Sequence, residues 1–311
     1  IEASAANQAE QEEEFERRDV YDTSYGASFV LGYYGTSQYF SITNEHIYDF
    51  YRQMTISPGI RSVSHILRGL NGRQALESMV SVRYYEDRVL KDSGDYIAVL
   101  RKNENGLPFG YLYQNSLSES EFEKLDDFQK MDALLQTVVL EDEWQTDDPE
   151  NLEYSSAEEL AAGIEYSNIE KEKDLLYVSP ESEIMLCLPE KEYGDGEIYV
   201  KFRGLKLLDD MTTDIDVGNT DIQVRDSKDS YYIGMDDFLV KTSISDQRTV
   251  RIRFSEDCTL KLDDIEVYWY PTDSIAGWVE KRGEEHLRDL ETGKDFISGN
   301  IAASKDSWLF L

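Results

Sequence analysis

The most constraining feature of the sequence is a series of short β-rich segments that begins near residue 164 and ends at Pro271. Turn-forming residues separate these segments, and runs of this kind at short, regular intervals are typical of an all-β sandwich. The segments are EIMLCLP, EIYVKFRGL, TDIQVRD, YYIGM, TVRIRFS and TLKLDDIEVYWY. The pattern predicts a β-sandwich over residues 164–271, with a jelly-roll-like arrangement.

The residues before this series mix helical and strand patterns. Asn44 is a suitable N-cap, and the apolar residues that follow it have helical spacing, which predicts a short amphipathic helix. The segments DYIAVLRKN and GYLYQN predict two strands on either side of a turn at Asn105 and Gly106, and Ser118 begins a capping-box pattern for a further helix. That helix is expected to bury Phe122, Leu125, Phe128, Leu134, Leu135 and Val138. We therefore predict a mixed α+β domain over residues 20–163.

An apolar and aromatic run follows the Asn-Gly turn directly, in the segment NENGLPFGYLYQN of residues 103–115. Pro108 stands near the start of this run, where the missing backbone amide of a proline costs least in a strand. The run predicts a buried strand over residues 107–113. We expect Leu107, Phe109 and either Tyr111 or Leu112 to lie in the core.

The two ends of the chain are predicted to differ from the middle. Residues 1–19 are polar and acidic, which predicts a tether. Thr272 is expected to cap a last helix, and two strands follow it, so that residues 272–311 pack on the preceding domains. The chain begins at Ile1 and ends in the apolar sequence DSWLFL. We interpret it as a segment of a longer protein.

Charge and hydropathy restrict the partners of the chain. The formal net charge is −33, and the sequence contains no basic patch. Such a surface repels phosphate backbones, so we exclude nucleic acid as a partner. A membrane-spanning helix needs about 20 consecutive apolar residues. No such run exists in the sequence, so the chain itself is not expected to span a membrane.

The two cysteines, Cys187 and Cys258, both lie in predicted strands. They are interpreted either as small buried apolar side chains or as a disulfide. The sequence cannot show that their Cα atoms come within bridging distance, so we favour buried thiols.

Motifs for catalysis, cofactor binding and metal binding are absent from the sequence. It contains no Gly-x-Ser-x-Gly, no P-loop and no Gly-x-Gly-x-x-Gly, and its three histidines are scattered. A calcium-binding loop that starts at Asp214 would need oxygen ligands where Gly218 and Arg225 stand. We therefore predict no catalytic residue, no cofactor and no metal site in this chain.

Aromatic and acidic residues of the predicted sandwich are the candidates for a ligand surface. Aromatic rings stack on the apolar faces of sugar rings, and carboxylates accept hydrogen bonds from sugar hydroxyls. We predict that Tyr231, Tyr232, Asp226 and Trp269 bind a glycan. Adjacent residues of a strand point to opposite faces, so one of the two tyrosines is expected to lie in the core instead.

Several segments, in order along the chain, resemble the extracytoplasmic domain of bacterial membrane proteins of the YfhO family. The segments are YGTSQYFSITNEHIYDFYRQM, ALESMVSVRYYEDR, NENGLPFGYLY, DDFQKMDALLQTVV and GNIAASKDSWLFL. The chain departs from the family pattern at Ser81, where a glycine is usual, and at Lys130, Met131 and Asp132, where a Gln-Asn pair is typical. The resemblance runs from near residue 30 to the C-terminal end.

The resemblance implies a parent protein that crosses the bacterial cytoplasmic membrane many times and is similar to lipid-linked-sugar glycosyltransferases of the GT-C-like kind. The chain would lie on the extracytoplasmic face, truncated before a membrane helix, with the membrane-embedded part as its partner. Members of the family are associated with the decoration of teichoic acids and other cell-surface glycans. The expected role is therefore to bind or position a cell-surface polysaccharide or teichoic-acid-like acceptor. The catalytic carboxylates of the family would lie outside this chain, so it is expected to have no active site of its own.

Two other functions stay open. A secreted glycoside-processing enzyme with a carbohydrate-binding sandwich would need a deep cleft with two carboxylates about 5–10 Å apart. A purely structural or protein-interaction ectodomain would have a sandwich face that is filled or apolar rather than lined with exposed Tyr, Trp and Asp.

Overall fold

The structure, a computed structural model, describes residues 17–20, 28, 32–39, 44–57, 66–67, 69–90, 96–142, 152–209, 212–229, 232, 234–244, 248–292, 296–304 and 306–311. Most of the predicted acidic tether lies outside these residues. Its last three residues, Arg17–Asp19, form a strand. This strand places Asp19 in the interior of the protein.

A mixed sheet organises the N-terminal part. It contains β1 (Arg17–Asp19), β2 (Tyr34–Gly35), β5 (Val82–Leu90) and β6 (Tyr96–Lys102). The strand order is β2-β1-β5-β6, and β1 is parallel to both of its neighbours, whereas β5 and β6 are antiparallel. Strand β1 therefore lies inside the sheet, with a paired strand on each side.

Helices and short strand pairs complete this part and the C-terminal end. The helices with described bounds are α1 (Glu45–Gln53), α2 (Gln74–Met79), α3 (Glu119–Phe122), α4 (Asp127–Gln136) and α5 (Asp273–Gly283). The antiparallel pairs are β3 (Gln38–Tyr39) with β4 (Ile66–Leu67), β7 (Tyr111–Tyr113) with β25 (Trp308–Phe310), and β23 (Arg288–Thr292) with β24 (Ile297–Asn300). The parallel pair is β8 (Ser116–Ser118) with β9 (Val138–Leu140).

Three antiparallel sheets form the second half of the chain. The first, called the central sheet, has the order β10 (Glu158–Glu159), β22 (Asp264–Pro271), β15 (Gly196–Arg203) and β19 (Phe238–Thr242). The second has the order β11 (Gly163–Ser167), β14 (Glu183–Cys187), β20 (Thr249–Phe254), β17 (Thr212–Val217) and β18 (Thr220–Arg225). The third has the order β12 (Glu170–Glu172), β13 (Leu175–Val178), β21 (Cys258–Lys261) and β16 (Lys206–Leu207).

The central sheet is buried on both faces. On β15, Ile198, Val200 and Phe202 belong to a core shared with the other two antiparallel sheets. Tyr199, between them, belongs to a second core formed with helices α1, α2, α4 and α5, which are called the helical layer. Because side chains alternate across a strand, one strand supplies both cores.

The overall architecture agrees with the predicted α+β fold with a sandwich-like, β-rich second half. The predicted core residues Leu107, Phe109, Tyr111 and Leu112 are all buried. The strand itself is shorter than expected, because only residues 111–113 pair, with β25. No helix among the described residues is long and apolar enough to cross a membrane.

The helix predicted to follow Ser118 is two helices. Ser118 accepts a hydrogen bond from the Glu121 amide at the start of α3, but α3 ends at Phe122. Asp126 then caps α4 in a complete capping box with Gln129. An aspartate that offers its carboxylate to two amides makes a new helix start more favourable than continuation. Val138, predicted to be helical, is instead the first residue of β9.

The two-faced central sheet leads to a test on neighbouring residues of β19. Leu239 lies in the core of the helical layer and Val240 in the sandwich core, and each is 1% exposed. Since the two cores share this sheet, we expect Leu239→Ala and Val240→Ala to weaken one common unfolding transition, each by about 2–4 kcal/mol. Denaturant unfolding followed by both fluorescence and circular dichroism is the measurement. Two separate transitions, with each variant affecting a different one, would contradict a shared sheet.

Candidate functional site

A cleft opens where the N-terminal sheet meets the sandwich. Strand β5, the turn at Asn71 and Gly72, and the facing ends of β18 and β19 surround it, with a cavity volume of about 60 Å³. Its walls carry amide, hydroxyl, ammonium and aromatic groups, including Asn71, Tyr85, Asn219, Thr220, Lys241 and Ser243. Concave sites with a few convergent polar groups are where proteins bind small molecules.

A pair of carboxyl groups underlies this cleft. Asp19 accepts hydrogen bonds from the Leu70 amide (3.0 Å) and from the Thr36 hydroxyl (2.7 Å). Gly69, at φ +53°, permits this approach, because a Cβ there would lie 1.9 Å from Asp19 Oδ1. Helix α2 contributes the second carboxyl, Glu77, which is 1% exposed.

The two carboxyl groups share a proton. Burial raises the pKa of Asp19 and raises that of Glu77 well above its usual value. The hydrogen bond between them lowers the pKa of Asp19 and raises that of Glu77. Glu77 is therefore the protonated donor and Asp19 the acceptor. The Oε1 atom of Glu77 is buried and has no hydrogen-bond partner among the described residues.

Lys241 lies beside this pair. Its Nζ donates to the Gly72 carbonyl, forms an ion pair with Glu197 Oε1 at 2.7 Å, and lies 5.7 Å from the centre of the Tyr85 ring. Burial lowers the pKa of Lys241, but the charge of Glu197 and its hydrogen bond to Lys241 raise it above the usual lysine value. The lysine therefore stays protonated and supplies the positive charge that buried carboxylates need.

Glu197 joins this lysine to the helical layer. Its Oε1 accepts the Gln74 amide (3.1 Å), and its Oε2 accepts the Tyr199 hydroxyl (2.6 Å). Gln74 is the first residue of α2, and Arg73, the N-cap residue, makes no side-chain cap. A carboxylate from a strand of the central sheet thus caps a helix of the N-terminal part, where it also meets the positive end of the helix dipole.

The rim of the cleft is organised by Asn219. Its Nδ2 donates to the Arg88 carbonyl (3.2 Å) and to Ser243 Oγ (2.9 Å), and its Oδ1 accepts the Ser243 amide (2.8 Å). Thr220 Oγ1 donates to the Lys241 carbonyl (2.9 Å). One amide side chain therefore holds β5, β18 and the end of β19 at fixed spacing.

The glycan-binding residues predicted from the sequence lie elsewhere. Tyr231 is outside the described residues. The Tyr232 hydroxyl donates to Asp236, and Asp226 is buried and accepts the Lys228 amide at 2.6 Å in a local turn. Both side chains therefore use polar atoms in contacts within their own region of the chain.

Trp269 has a different environment from Tyr232 and Asp226. It packs partly buried against the sandwich core, with Lys191 Nζ 5.4 Å from its ring centre. Glycine at position 196 makes room for it, since a Cβ there would lie 2.6 Å from Trp269 Nε1. Trp269 lies on the face of β22 that packs against the sandwich core.

Local sequence patterns do not identify most of the residues at the cleft. Asp19 stands in a run so acidic that a solvated tether was the natural prediction. Glu77 and Lys241 belong to ordinary amphipathic patterns and become partners only through the fold. One signal was present: in β15, Glu197, Tyr199 and Lys201 alternate with apolar residues and so mark one face of the strand.

The cysteines and acidic residues show no metal or disulfide chemistry in the part of the chain that the structure describes. No group of three or more His, Cys, Asp or Glu side chains is placed to hold a metal ion. Cys187 and Cys258 are free thiols, half-buried and buried respectively. Burial raises the pKa of the Cys258 thiol to about 11, as expected for an unreactive side chain.

The fold and the cleft define a β-rich domain with a polar pocket between its N-terminal sheet and its sandwich. The family model described as "Bacterial membrane protein YfhO" matches residues 2–311, and the chain belongs to this family. It is similar to the "Uncharacterized protein YfhO" of Bacillus subtilis (strain 168), at 24% identity over an alignment of 300 positions that covers 91% of this chain. The chain spans about a third of that relative, 34% of its length.

A solved structure offers a weaker likeness. It is the crystal structure of an exo-β-1,3-galactanase from Phanerochaete chrysosporium with galactose, at 12% identity and a TM-score of 0.22. The match covers 38% of this chain and 30% of the galactanase chain. A TM-score this low supports no inference about the fold or the function of this chain.

The shared proton of Asp19 and Glu77 leads to a prediction on pH dependence. Above the usual carboxyl range the unfolded chain has lost the Glu77 proton while the folded chain keeps it, so the free energy of unfolding falls as the pH rises. Glu77→Gln cannot titrate. We therefore expect the stability of this variant relative to the wild type to increase between about pH 5 and pH 8.

Urea denaturation at several pH values measures this difference. Glu256→Gln, which changes an exposed glutamate in a turn, is the matched control and should follow the wild-type curve. Parallel pH profiles for the wild type and Glu77→Gln would show that Glu77 is ionised in the folded protein.

Proposed function

We propose that the chain is an extracytoplasmic accessory domain of a bacterial membrane protein, that it binds or positions a cell-surface glycan acceptor, and that it has no active site of its own. In this proposal the acceptor is a polysaccharide or a teichoic-acid-like polymer, and the transfer reaction belongs to a membrane-embedded part that resembles lipid-linked-sugar glycosyltransferases. The sandwich of this domain is jelly-roll-like. The match to the YfhO family supports the membrane context. The polar cleft supports the binding role.

The observation that carries the binding role is the chemistry of the cleft walls. Amide groups of Asn71 and Asn219, the hydroxyls of Thr220 and Ser243, and the ring of Tyr85 converge on one small volume. The lining also includes the charged side chains of Glu86, Asp87, Arg88 and Lys241, which can form hydrogen bonds with hydroxyl groups, and the aromatic ring adds an apolar surface. A sugar or polyol presents the matching combination of hydroxyls and C–H groups.

The carboxyl pair supports an accessory role over hydrolysis. Glycosidases hold their two carboxyl groups about 5–10 Å apart, so that the sugar and the attacking group fit between them. Asp19 and Glu77 are instead hydrogen-bonded to each other, and helix α2 and the turn at residues 69–72 bury them. Their arrangement fits a rigid floor for the cleft rather than an acid and a nucleophile.

The packing of the sandwich supports the alternative of a purely structural domain. The inner face of the central sheet is filled by an apolar core, and its outer face is covered by the helical layer. Neither face offers a row of exposed aromatic residues. The sandwich would then serve only as a scaffold in this proposal, so we propose the cleft as the site of glycan binding.

Closing the mouth of the cleft tests the binding role. Ser243 is exposed at the rim, and Ser243→Trp would place an indole across the opening. We expect this variant to lose affinity for a purified cell-surface glycan by at least about tenfold, the equivalent of roughly 1.4 kcal/mol. Isothermal titration of the 311-residue chain with cell-wall polysaccharide and with teichoic acid is the measurement.

A matched control tests the region predicted from the sequence. Ser227→Trp adds the same bulk to an exposed position beside Asp226, away from the cleft, and should bind as the wild type does. A loss of binding in Ser227→Trp alone would move the site to the region of Asp226 and Tyr232. If the wild-type chain binds none of these glycans, the accessory binding role is wrong.

A further inference from the structure

Gly72 leaves an open space on the floor of the cleft between two polar atoms. A Cβ built on this residue would meet Lys241 Nζ at 3.6 Å and Glu77 Oε1 at 3.8 Å, and its φ of +62° favours glycine. Both polar atoms therefore face the same small volume. In any other residue, the side chain would occupy it.

The two atoms have opposite hydrogen-bonding requirements. Lys241 Nζ is an ammonium and can only donate. Glu77 Oε1 is a buried carboxyl oxygen that can accept a hydrogen bond, and it has no partner among the described residues. A buried acceptor without a donor costs free energy, so this oxygen favours any ligand that brings a proton to it.

We propose that this space binds one hydroxyl group of a sugar or polyol, which accepts a hydrogen bond from Lys241 and donates one to Glu77. The inference rests on the proposed glycan-binding function and names the group that is recognised. A hydroxyl is both donor and acceptor, so it satisfies both atoms at once. No covalent step is involved.

Charged groups fit this space less well than a hydroxyl. A phosphodiester anion accepts from Lys241 but offers no proton to Glu77, and any anion must approach a chain with a net charge of −33. An ammonium group donates to Glu77 but meets the positive charge of Lys241. The hydroxyl therefore has two possible sources, a neutral glycan or the polyol of a teichoic-acid-like polymer.

Titration of the 311-residue chain with three probes distinguishes these sources. The probes are cellotetraose, a glycerol phosphate tetramer and inorganic phosphate, each at low and at high salt. We expect the binding of cellotetraose to be insensitive to salt. If the glycerol phosphate tetramer also binds, its affinity should increase with salt, because salt screens the repulsion between two acidic molecules. Competition by inorganic phosphate alone would overturn the proposal, since it would make an anion the ligand.

Two variants test the floor of the cleft directly. Gly72→Ala fills the space with a methyl group, and Glu77→Leu removes the acceptor while keeping a similar volume. We expect each to reduce affinity for the bound probe at least about tenfold, whereas Glu77→Gln, which keeps an acceptor oxygen, should bind more tightly than Glu77→Leu. Thermal melting of every variant checks that it folds, and perturbation of the Lys241 side-chain NMR signal by the probe gives a second readout in the wild type.

The outcomes separate this inference from the proposed function. Wild-type binding that neither Gly72→Ala nor Glu77→Leu weakens, or binding without a change in the Lys241 signal, would overturn the hydroxyl site and leave glycan binding in place. The absence of binding of every carbohydrate, including the cell-surface polymers, would overturn the proposed function as well.

Discussion

The Glu197 carboxylate joins the helical layer to the central sheet. It accepts from the Gln74 amide, the Tyr199 hydroxyl and Lys241, at 3.1, 2.6 and 2.7 Å. An ion buried this deeply is tolerated only when its partners stay in place. The three partners belong to the helical layer, to the outer face of β15 and to the neighbouring strand β19. The position of the helical layer on the central sheet is therefore tied to one side chain.

Arg73 adds a second connection across the same junction. Its guanidinium donates to the Met54 carbonyl at 2.6 Å and the Thr55 carbonyl at 3.2 Å, just after α1 ends, and to the Leu239 carbonyl of β19. A cation at the C-terminal end of a helix is favoured by the helix dipole. With Glu197, it holds α1, α2 and β19 in one arrangement. The cleft above Asp19 and Glu77 takes its shape from that arrangement.

Much of the fold was predictable from the sequence, because local patterns carry it. The β-rich segments after residue 164, the Asn44 cap and the buried run from Leu107 to Leu112 follow from spacing and residue type. The site was not predictable, because its contacts join residues far apart in the chain. Glu197 and Gln74 are separated by 123 positions. Aromatic residues suggested a sugar-binding face, but burial of both faces of the central sheet gave most of those rings a packing role, as for Tyr199 and Tyr270.

Beside the cleft, the Glu197 carboxylate holds the helical layer on the central sheet. Amide hydrogen exchange in the wild type and in Glu197→Gln tests it most directly, because the variant keeps the shape of the side chain and removes its charge. We expect protection against exchange to fall by at least about tenfold in both Gln74–Met79 and Phe238–Thr242. Thr249–Phe254, in the five-stranded sheet, should keep its protection. Loss of protection confined to one side of the junction, or no loss on either side, would contradict it.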